Sequence, residues 1–318
     1  MSRRGRWIVA AVGIVLAALV VATTLFVRRP LDTLAKFQRR ALLRAGFERV
    51  ELGSGAERLT LFRAGSGAPL LFLHGLGDQA GSWAKVAPAF AERHRVLVAD
   101  LPGHGESEPA AGELPMATLV AGAERLFAEA ARDGRVTVVG DSLGGWLATL
   151  LAHRHPGQVA HLVLVNGGPL RGEEELSLQP RDRKEAAALL ARLRDPSAPR
   201  VPGFVLDDVV RQAAQGPIAR LGRDLPGLEA HLLDGRLGEV ATPVDLLWGA
   251  SDRVVPLAYA ERLRDALPAA RLTLVETCGH VPQVECPERF AERLAALLAG
   301  PPPSATPTAM TGSAEGPR

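Results

Sequence analysis

Two kinds of apolar pattern alternate along this chain. Short runs rich in Val and Leu occur at Leu59 to Phe62, Leu70 to Leu73, Arg95 to Ala99, Val136 to Val139, His161 to Val165, Val244 to Trp248 and Arg271 to Val275. Nearly continuous apolar runs of this length read as strands. Between most of them lie segments with helical spacing, as in Met116 to Ala131, Leu143 to His155, Leu257 to Leu267 and Glu288 to Leu298. Strands without a polar face, separated by helices, predict an α/β protein with a mostly parallel sheet covered on both sides. One interval departs from the rhythm. From Pro169 to Thr242 no strand pattern appears; helical pieces at Lys184 to Arg194 and Phe204 to Gln215 are punctuated by Pro196, Pro199, Pro202 and Pro217. Residues 169–242 therefore read as a helical cap inserted between two strands and laid over the sheet edge.

The N-terminus follows a third pattern. Trp7 to Val27 is an uncharged apolar run, preceded by Arg3, Arg4 and Arg6 and followed by Arg28 and Arg29. At about 1.5 Å per residue it spans a hydrocarbon core of about 30 Å. The run exceeds the usual apolar region of a secretory signal, and Arg-Arg-Pro stands where a small-residue cleavage site belongs. Residues 7–27 therefore read as a single-pass membrane anchor behind a basic N-terminus, 1–6. Arg28, Arg29, Lys36, Arg39, Arg40 and Arg44 outnumber the charges on the other side, which weakly favours a cytoplasmic catalytic domain. Residues 28–50 read as an amphipathic connector, lying near the membrane surface or packed on the domain. The main domain then covers 51–299, and the Pro-, Ser- and Thr-rich segment 300–318 reads as a disordered tail.

Composition narrows the classes. The chain has 318 residues, 47% of them hydrophobic, which suits one α/β domain with an insertion or two small domains. A net charge of +2 gives no reason to expect nucleic acid as a partner. Only Cys278 and Cys286 are present, at no metal-ligand spacing, and they read as two free thiols. No metal or cofactor is expected, and the sequence leaves the oligomeric state open.

The chemistry gathers at VTVVGDSLGGW, residues 136–146. In open parallel sheets reactive groups sit beyond the carboxyl ends of strands, and Ser142 follows one directly. Gly-x-Ser-x-Gly between a strand and a helix makes a tight turn that exposes the serine hydroxyl, and Gly140 and Gly144 leave room for backbones that a Cβ would block. A serine needs a base to take its proton, and the base needs a carboxylate to hold it. His280, in TCGHVPQVECP after the last strand, supplies the base. Asp252, in WGASDRVVP after the preceding strand, supplies the carboxylate in the order Ser, Asp, His. Asp100 reads as a structural carboxylate bonding loop amides, and Asp141, beside the nucleophile on a sharp turn, points elsewhere. His153 and His155 have no third metal partner. The glycine-lined loop His74-Gly75-Leu76-Gly77 offers the N–H of Leu76, which with the N–H of Leu143 forms an oxyanion hole.

Taken in order, LFLHGLGDQAGSW, VADLPGHGESEP, VVGDSLGGWLATLLAHRHP, LLWGASDRVVP and CGHVPQVECPERF resemble the α/β-hydrolase superfamily. That resemblance implies an eight-stranded, mostly parallel sheet flanked by helices, a Ser-His-Asp triad and no cofactor. The anchor and cap are similar to those of membrane-anchored monoacylglycerol lipases and related bacterial lipases. The expected activity is therefore a serine ester hydrolase that acts on acyl-ester or lipid substrates at a membrane through an acyl-enzyme. In the cap, Phe204, Val205, Leu206, Val209 and Val210 suit either a shelter for the acyl chain or the cap's own core. Carbon–carbon bond hydrolases of ring-fission products and acyltransferases use the same triad and remain alternatives, and a non-catalytic binding member of the fold is a remote one.

Overall fold

The computed structural model describes residues 2–172 and 177–304. Two helices lead: α1 (Arg3–Arg28) and α2 (Pro30–Arg44). Four strands follow, β1 (Glu48–Leu52), β2 (Leu59–Ala64), β3 (Ala68–Leu73) and β4 (His94–Ala99). Helix and strand then alternate through α3 (Met116–Ala130), β5 (Val136–Asp141), α4 (Leu143–Arg154) and β6 (Val159–Val165). The interval to the next strand holds α5 (Arg183–Leu193), α6 (Gly203–Gln215), α7 (Pro217–Leu221) and α8 (Leu225–Ala230), with no strand among the described residues. The chain closes with β7 (Val244–Gly249), α9 (Leu257–Ala266), β8 (Ala270–Val275), α10 (Pro282–Glu285) and α11 (Pro287–Ala299).

The eight strands form one sheet in the order β1-β2-β4-β3-β5-β6-β7-β8. β2 runs antiparallel to both β1 and β4, and every other pairing is parallel. Successive residues of each inner strand point to opposite faces, so a strand buried on both sides must be apolar throughout. Leu71 and Leu73 of β3, Val138 of β5 and Leu162 and Leu164 of β6 pack with α3, α4 and α9. Their neighbours Leu70, Phe72, Val139, Val163 and Val165 face the opposite layer, which contains Leu42, Trp83, Phe290 and Leu294. The carboxyl ends of β3, β5, β6, β7 and β8 consequently lie along one edge of the sheet.

Two sequence expectations change here. The connector reading ran to residue 50, yet Glu48–Leu52 is a strand, paired from Glu48↔Arg63 to Leu52↔Leu59. As an outer strand with exposed Glu48, Arg49 and Glu51 it carries no apolar run to betray it. Cys278 and Cys286 are not free thiols. They form a disulfide with Cα atoms 6.0 Å apart, because the turn after β8 and the start of α11 bring the two positions together. Closing so short a loop stabilises the fold by about 2 kcal/mol on chain-entropy grounds. The tail reading falls outside the described residues except for 300–304.

The connector is docked on the rest of the molecule. α2 buries Pro30 and Leu42, and Arg39 pairs with Glu106 at 3.2 Å. On its other side Asp32 accepts from Arg211 at 3.1 Å and Gln212 at 3.0 Å, and Asp208 accepts the Leu31 N–H at 2.9 Å. Phe26 of α1 meets Phe204 of α6 with ring centroids 5.9 Å apart. α1 itself is long and apolar enough to cross a membrane, with Ile14, Leu16, Leu19 and Val20 among its exposed residues.

Candidate active site

β5 ends at Asp141, and the backbone turns sharply at Ser142, where φ is +52°, before α4 begins at Leu143. Few non-glycine residues adopt this left-handed conformation, and its strain is tolerated only where the surroundings fix it. Here the Ser142 N–H donates to the Val165 carbonyl of β6 at 2.8 Å. The flanking glycines are a packing requirement. A Cβ at Gly144 would lie 2.3 Å from the Leu73 carbonyl oxygen, and one at Gly140 would lie 2.3 Å from the Gly144 carbonyl oxygen. The turn closes only without them.

The three loops beyond β5, β7 and β8 bring the sequence-predicted side chains together. Ser142 Oγ lies 3.1 Å from His280 Nε2, and His280 Nδ1 lies 2.8 Å from Asp252 Oδ2. The other carboxylate oxygen of Asp252 accepts the N–H groups of Val254 at 2.8 Å and Val255 at 3.0 Å. A carboxylate cannot donate, so Nδ1 carries the imidazole proton and Nε2 presents a lone pair to the serine hydroxyl. Burial disfavours the charged imidazole, but the charge and hydrogen bond of Asp252, aided by the charge of Asp141, outweigh it and raise His280 above its ordinary range.

Leu76, in the loop after β3, and Leu143, at the start of α4, line the same cavity as Ser142. Among the described residues neither backbone N–H is spent on an internal hydrogen bond. The first N–H groups of a helix have no intrahelical partner, which is why Leu143 is available. The cavity measures about 530 Å³, within the usual range for small-molecule sites. Its walls include Trp146, Leu170, Ile218, Leu221, Leu228 and Val255. The apolar wall is thus drawn from α4, α7 and α8 and from the loops that carry Leu170 and Val255. The suggested shelter in α6 is not part of it: Phe204, Val205, Leu206, Val209 and Val210 are half-buried where α6 meets its neighbouring helices.

The remaining candidates sit elsewhere or do other work. Asp100 accepts the N–H groups of Ala80 at 2.6 Å and Glu106 at 2.8 Å, fastening two loops as a structural carboxylate. His153 contacts Glu239 at 2.6 Å, and His155 pairs with Glu124. One residue escaped the sequence reading. Asn166, buried with φ +48° at the end of β6, accepts the Gly249 N–H at 2.8 Å. Its amide donates to the carbonyls of Gly279 at 3.0 Å and His280 at 2.8 Å. One side chain therefore ties the end of β7 to the histidine loop, and the asparagine after HLVLV was the only available signal.

Asp141 is buried beside this centre. Burial pushes its carboxyl up to about 8, with the charge of His280 opposing the rise and those of Asp78 and Asp252 adding to it. Its Oδ1, Asp78 Oδ2 and both amide atoms of Gln283 are buried without a hydrogen-bond partner among the described residues. A carboxyl whose folded pKa is raised weakens the fold as pH climbs from its unfolded value, about 4, to its folded one. Asp141→Asn removes that titration at nearly constant shape. Thermal melts across this window should therefore show the variant gaining on the wild type as pH rises, levelling off above about pH 8. A melting difference independent of pH would contradict the assignment.

A model of the alpha/beta hydrolase family matches residues 70–293. The chain belongs to the alpha/beta hydrolase family. Among its relatives in that family is the pimeloyl-(acyl-carrier protein) methyl ester esterase of Nitrosomonas europaea, 33% identical over 73% of this chain and 96% of the relative. A 2-hydroxy-6-oxononadienedioate/2-hydroxy-6-oxononatrienedioate hydrolase of Paraburkholderia xenovorans is 30% identical over 80% of this chain and 94% of its own length. Of solved structures, a membrane phospholipase A described as a bacterial virulence factor superposes with a TM-score of 0.72 at 26% identity. That match covers 93% of this chain and 98% of the other. The chain is thus an alpha/beta hydrolase whose relatives in that family include a methyl ester esterase and a 2-hydroxy-6-oxononadienedioate hydrolase.

Proposed function

We propose that this alpha/beta hydrolase is a serine ester hydrolase that cleaves acyl esters through an acyl-enzyme, with Ser142, His280 and Asp252 as its triad. The observation that carries the reading is the Ser142-His280-Asp252 hydrogen-bond chain opening onto a cavity with apolar walls. Ser142 Oγ attacks the ester carbonyl carbon while its proton passes to His280 Nε2. Asp252 holds Nδ1–H and balances the imidazolium that forms. The carbonyl oxygen becomes an oxyanion between the N–H groups of Leu76 and Leu143, each such donor contributing about 3 kcal/mol to the transition state. As the tetrahedral species collapses, His280 returns the proton to the leaving alcohol. Water then attacks the acyl-enzyme with His280 again as base, releasing the acid and restoring Ser142.

The acyl group belongs against Trp146, Ile218, Leu221 and Leu228, whose apolar surfaces favour a hydrocarbon chain over a charged one. α1 is assigned as a membrane anchor on its length, its uncharged and mostly apolar stretch from Trp7 to Val27 and its basic flanks. The lipid-ester reading also draws on the likeness to the membrane phospholipase A. A second reading, hydrolysis of a carbon–carbon bond in a ring-fission product, is favoured by the Paraburkholderia relative and by Arg192 and Arg262 at the cavity, where guanidinium groups suit a substrate carboxylate.

A substrate profile separates the two. The full-length protein in detergent is offered p-nitrophenyl esters of rising acyl length, monoacylglycerols and a vinylogous ring-fission diketone, with Ser142→Ala as control. Ser142-dependent turnover that rises with acyl length is the expected result. Turnover of the diketone with negligible ester cleavage would replace the ester reading with the second one.

A further inference from the structure

The C-terminal end of α5 enters the gap between the two loops that carry Asp252 and His280. The His280 N–H donates to the Leu193 carbonyl at 2.7 Å, and the Arg253 N–H donates to the Arg192 carbonyl at 3.2 Å. A Cβ at Gly279 would lie 2.3 Å from that same Leu193 oxygen, so the cap backbone and the histidine loop touch directly. Two carboxylates lock this junction. Glu285 accepts the Gly279 N–H at 2.5 Å with one oxygen and the Asp195 N–H at 2.7 Å with the other. Asp195, buried, accepts the hydroxyl of Ser251, the residue before Asp252, and both the N–H (2.9 Å) and the hydroxyl (2.5 Å) of Ser197. Those hydrogen bonds from Ser197 and Ser251 hold the Asp195 carboxyl below its ordinary range. The Cys278–Cys286 disulfide closes the histidine loop around Glu285, and the Cys278 carbonyl accepts the Ser251 N–H at 2.9 Å.

We propose that Asp195 and Glu285 form a clasp that fastens the cap to both the Asp252 and His280 loops, and that Glu285 is a positioning residue for His280. Glu285 reaches no reacting atom. It bridges two backbone N–H groups, one beside the histidine and one at the foot of the cap, which fixes His280 relative to α5 rather than to the sheet alone. Arg192, on the last turn of α5, lines the substrate cavity. A ligand that presses on α5 therefore presses on the clasp, and occupancy of the cavity is felt at the imidazole. Only two acceptor oxygens on one side chain fulfil this role. An amide keeps one acceptor but turns a donor toward the other N–H.

The inference rests on the serine-hydrolase reading for its kinetic readout, so the test carries a second readout that does not. Glu285→Gln, Glu285→Ala and Asp195→Asn are compared with wild type for kcat and KM on a p-nitrophenyl ester. The same proteins are compared for the downfield proton NMR resonance of the His280 Nδ1–H held by Asp252. Misplacing a reacting group by a fraction of an ångström to an ångström costs about tenfold to a hundredfold. Glu285→Ala should lose that much in kcat with KM within about twofold, Glu285→Gln should fall between it and wild type, and the imidazole proton should broaden in the same order. Wild-type kcat with an unchanged imidazole signal in all three would overturn the clasp. So would a loss fully accounted for by a smaller folded fraction. If wild type itself cleaves no ester, the functional reading fails, while the imidazole signal still decides the clasp.

Discussion

Ser142→Ala is expected to lower kcat for ester hydrolysis by about five to six orders of magnitude while leaving the fold intact. In the proposed mechanism the effect is this large because the three side chains act as one unit, so without Oγ neither the imidazole nor the aspartate has a nucleophile to assist. What remains is the binding and oxyanion contribution, which gives a residual rate above water. Stability should barely change. Ser142 Oγ makes its hydrogen bond to His280, whereas the turn is held by the Ser142 N–H on Val165 and by the absence of Cβ atoms at 140 and 144, and alanine preserves all of these. Steady-state kinetics with a melting curve on the same preparation checks both halves. A variant retaining a tenth of wild-type kcat would show that another group attacks.

Asp252→Asn comes second, with an expected loss of about 10⁴ in kcat near neutral pH. The reason lies in its two oxygens. Oδ1 accepts from Val254 and Val255, so an asparagine at this position keeps its carbonyl there to satisfy both N–H groups. Its NH₂ then faces His280 Nδ1, which must become the acceptor. The imidazole proton moves to Nε2, and the lone pair that takes the Ser142 proton is gone. The turn should survive, because its backbone hydrogen bonds are retained. Kinetics and a melting curve on one preparation read both effects. A loss below about tenfold would mean that His280 keeps its working tautomer without Asp252.

Much of the architecture was readable in residue order because a parallel sheet buried on both faces leaves continuous apolar strands. The positions that would carry the chemistry were readable for a related reason: strand ends followed by Gly-Asp-Ser, Ala-Ser-Asp and Cys-Gly-His combine a regular pattern with a chemically suited residue. What stayed hidden lacks one of these. β1 is an outer strand in which Glu, Arg and Glu face solvent. Asn166 works through backbone groups at the end of β7 and in the histidine loop, and a hydrogen bond to a backbone group imposes no residue type on its partner. Glu285 and Asp195 lie 90 residues apart and meet only once the cap has folded back. The cysteine pair shows no spacing rule, since its closure depends on the turn after β8. The role of α6 stayed open between acyl shelter and cap core, because an amphipathic helix declares that it has a buried face, not which neighbour that face meets.

The junction of α1 and α2 has a mechanical meaning. Arg29 alone separates the two helices, and α2 is held against the sheet by Leu42, to the loop after β4 by Arg39 and to α6 by Asp32. There is no slack to act as a leash. A hydrolase on a flexible tether would search a volume; with α1 as the proposed anchor, this one would turn with that helix and the mouth of its cavity would keep one bearing.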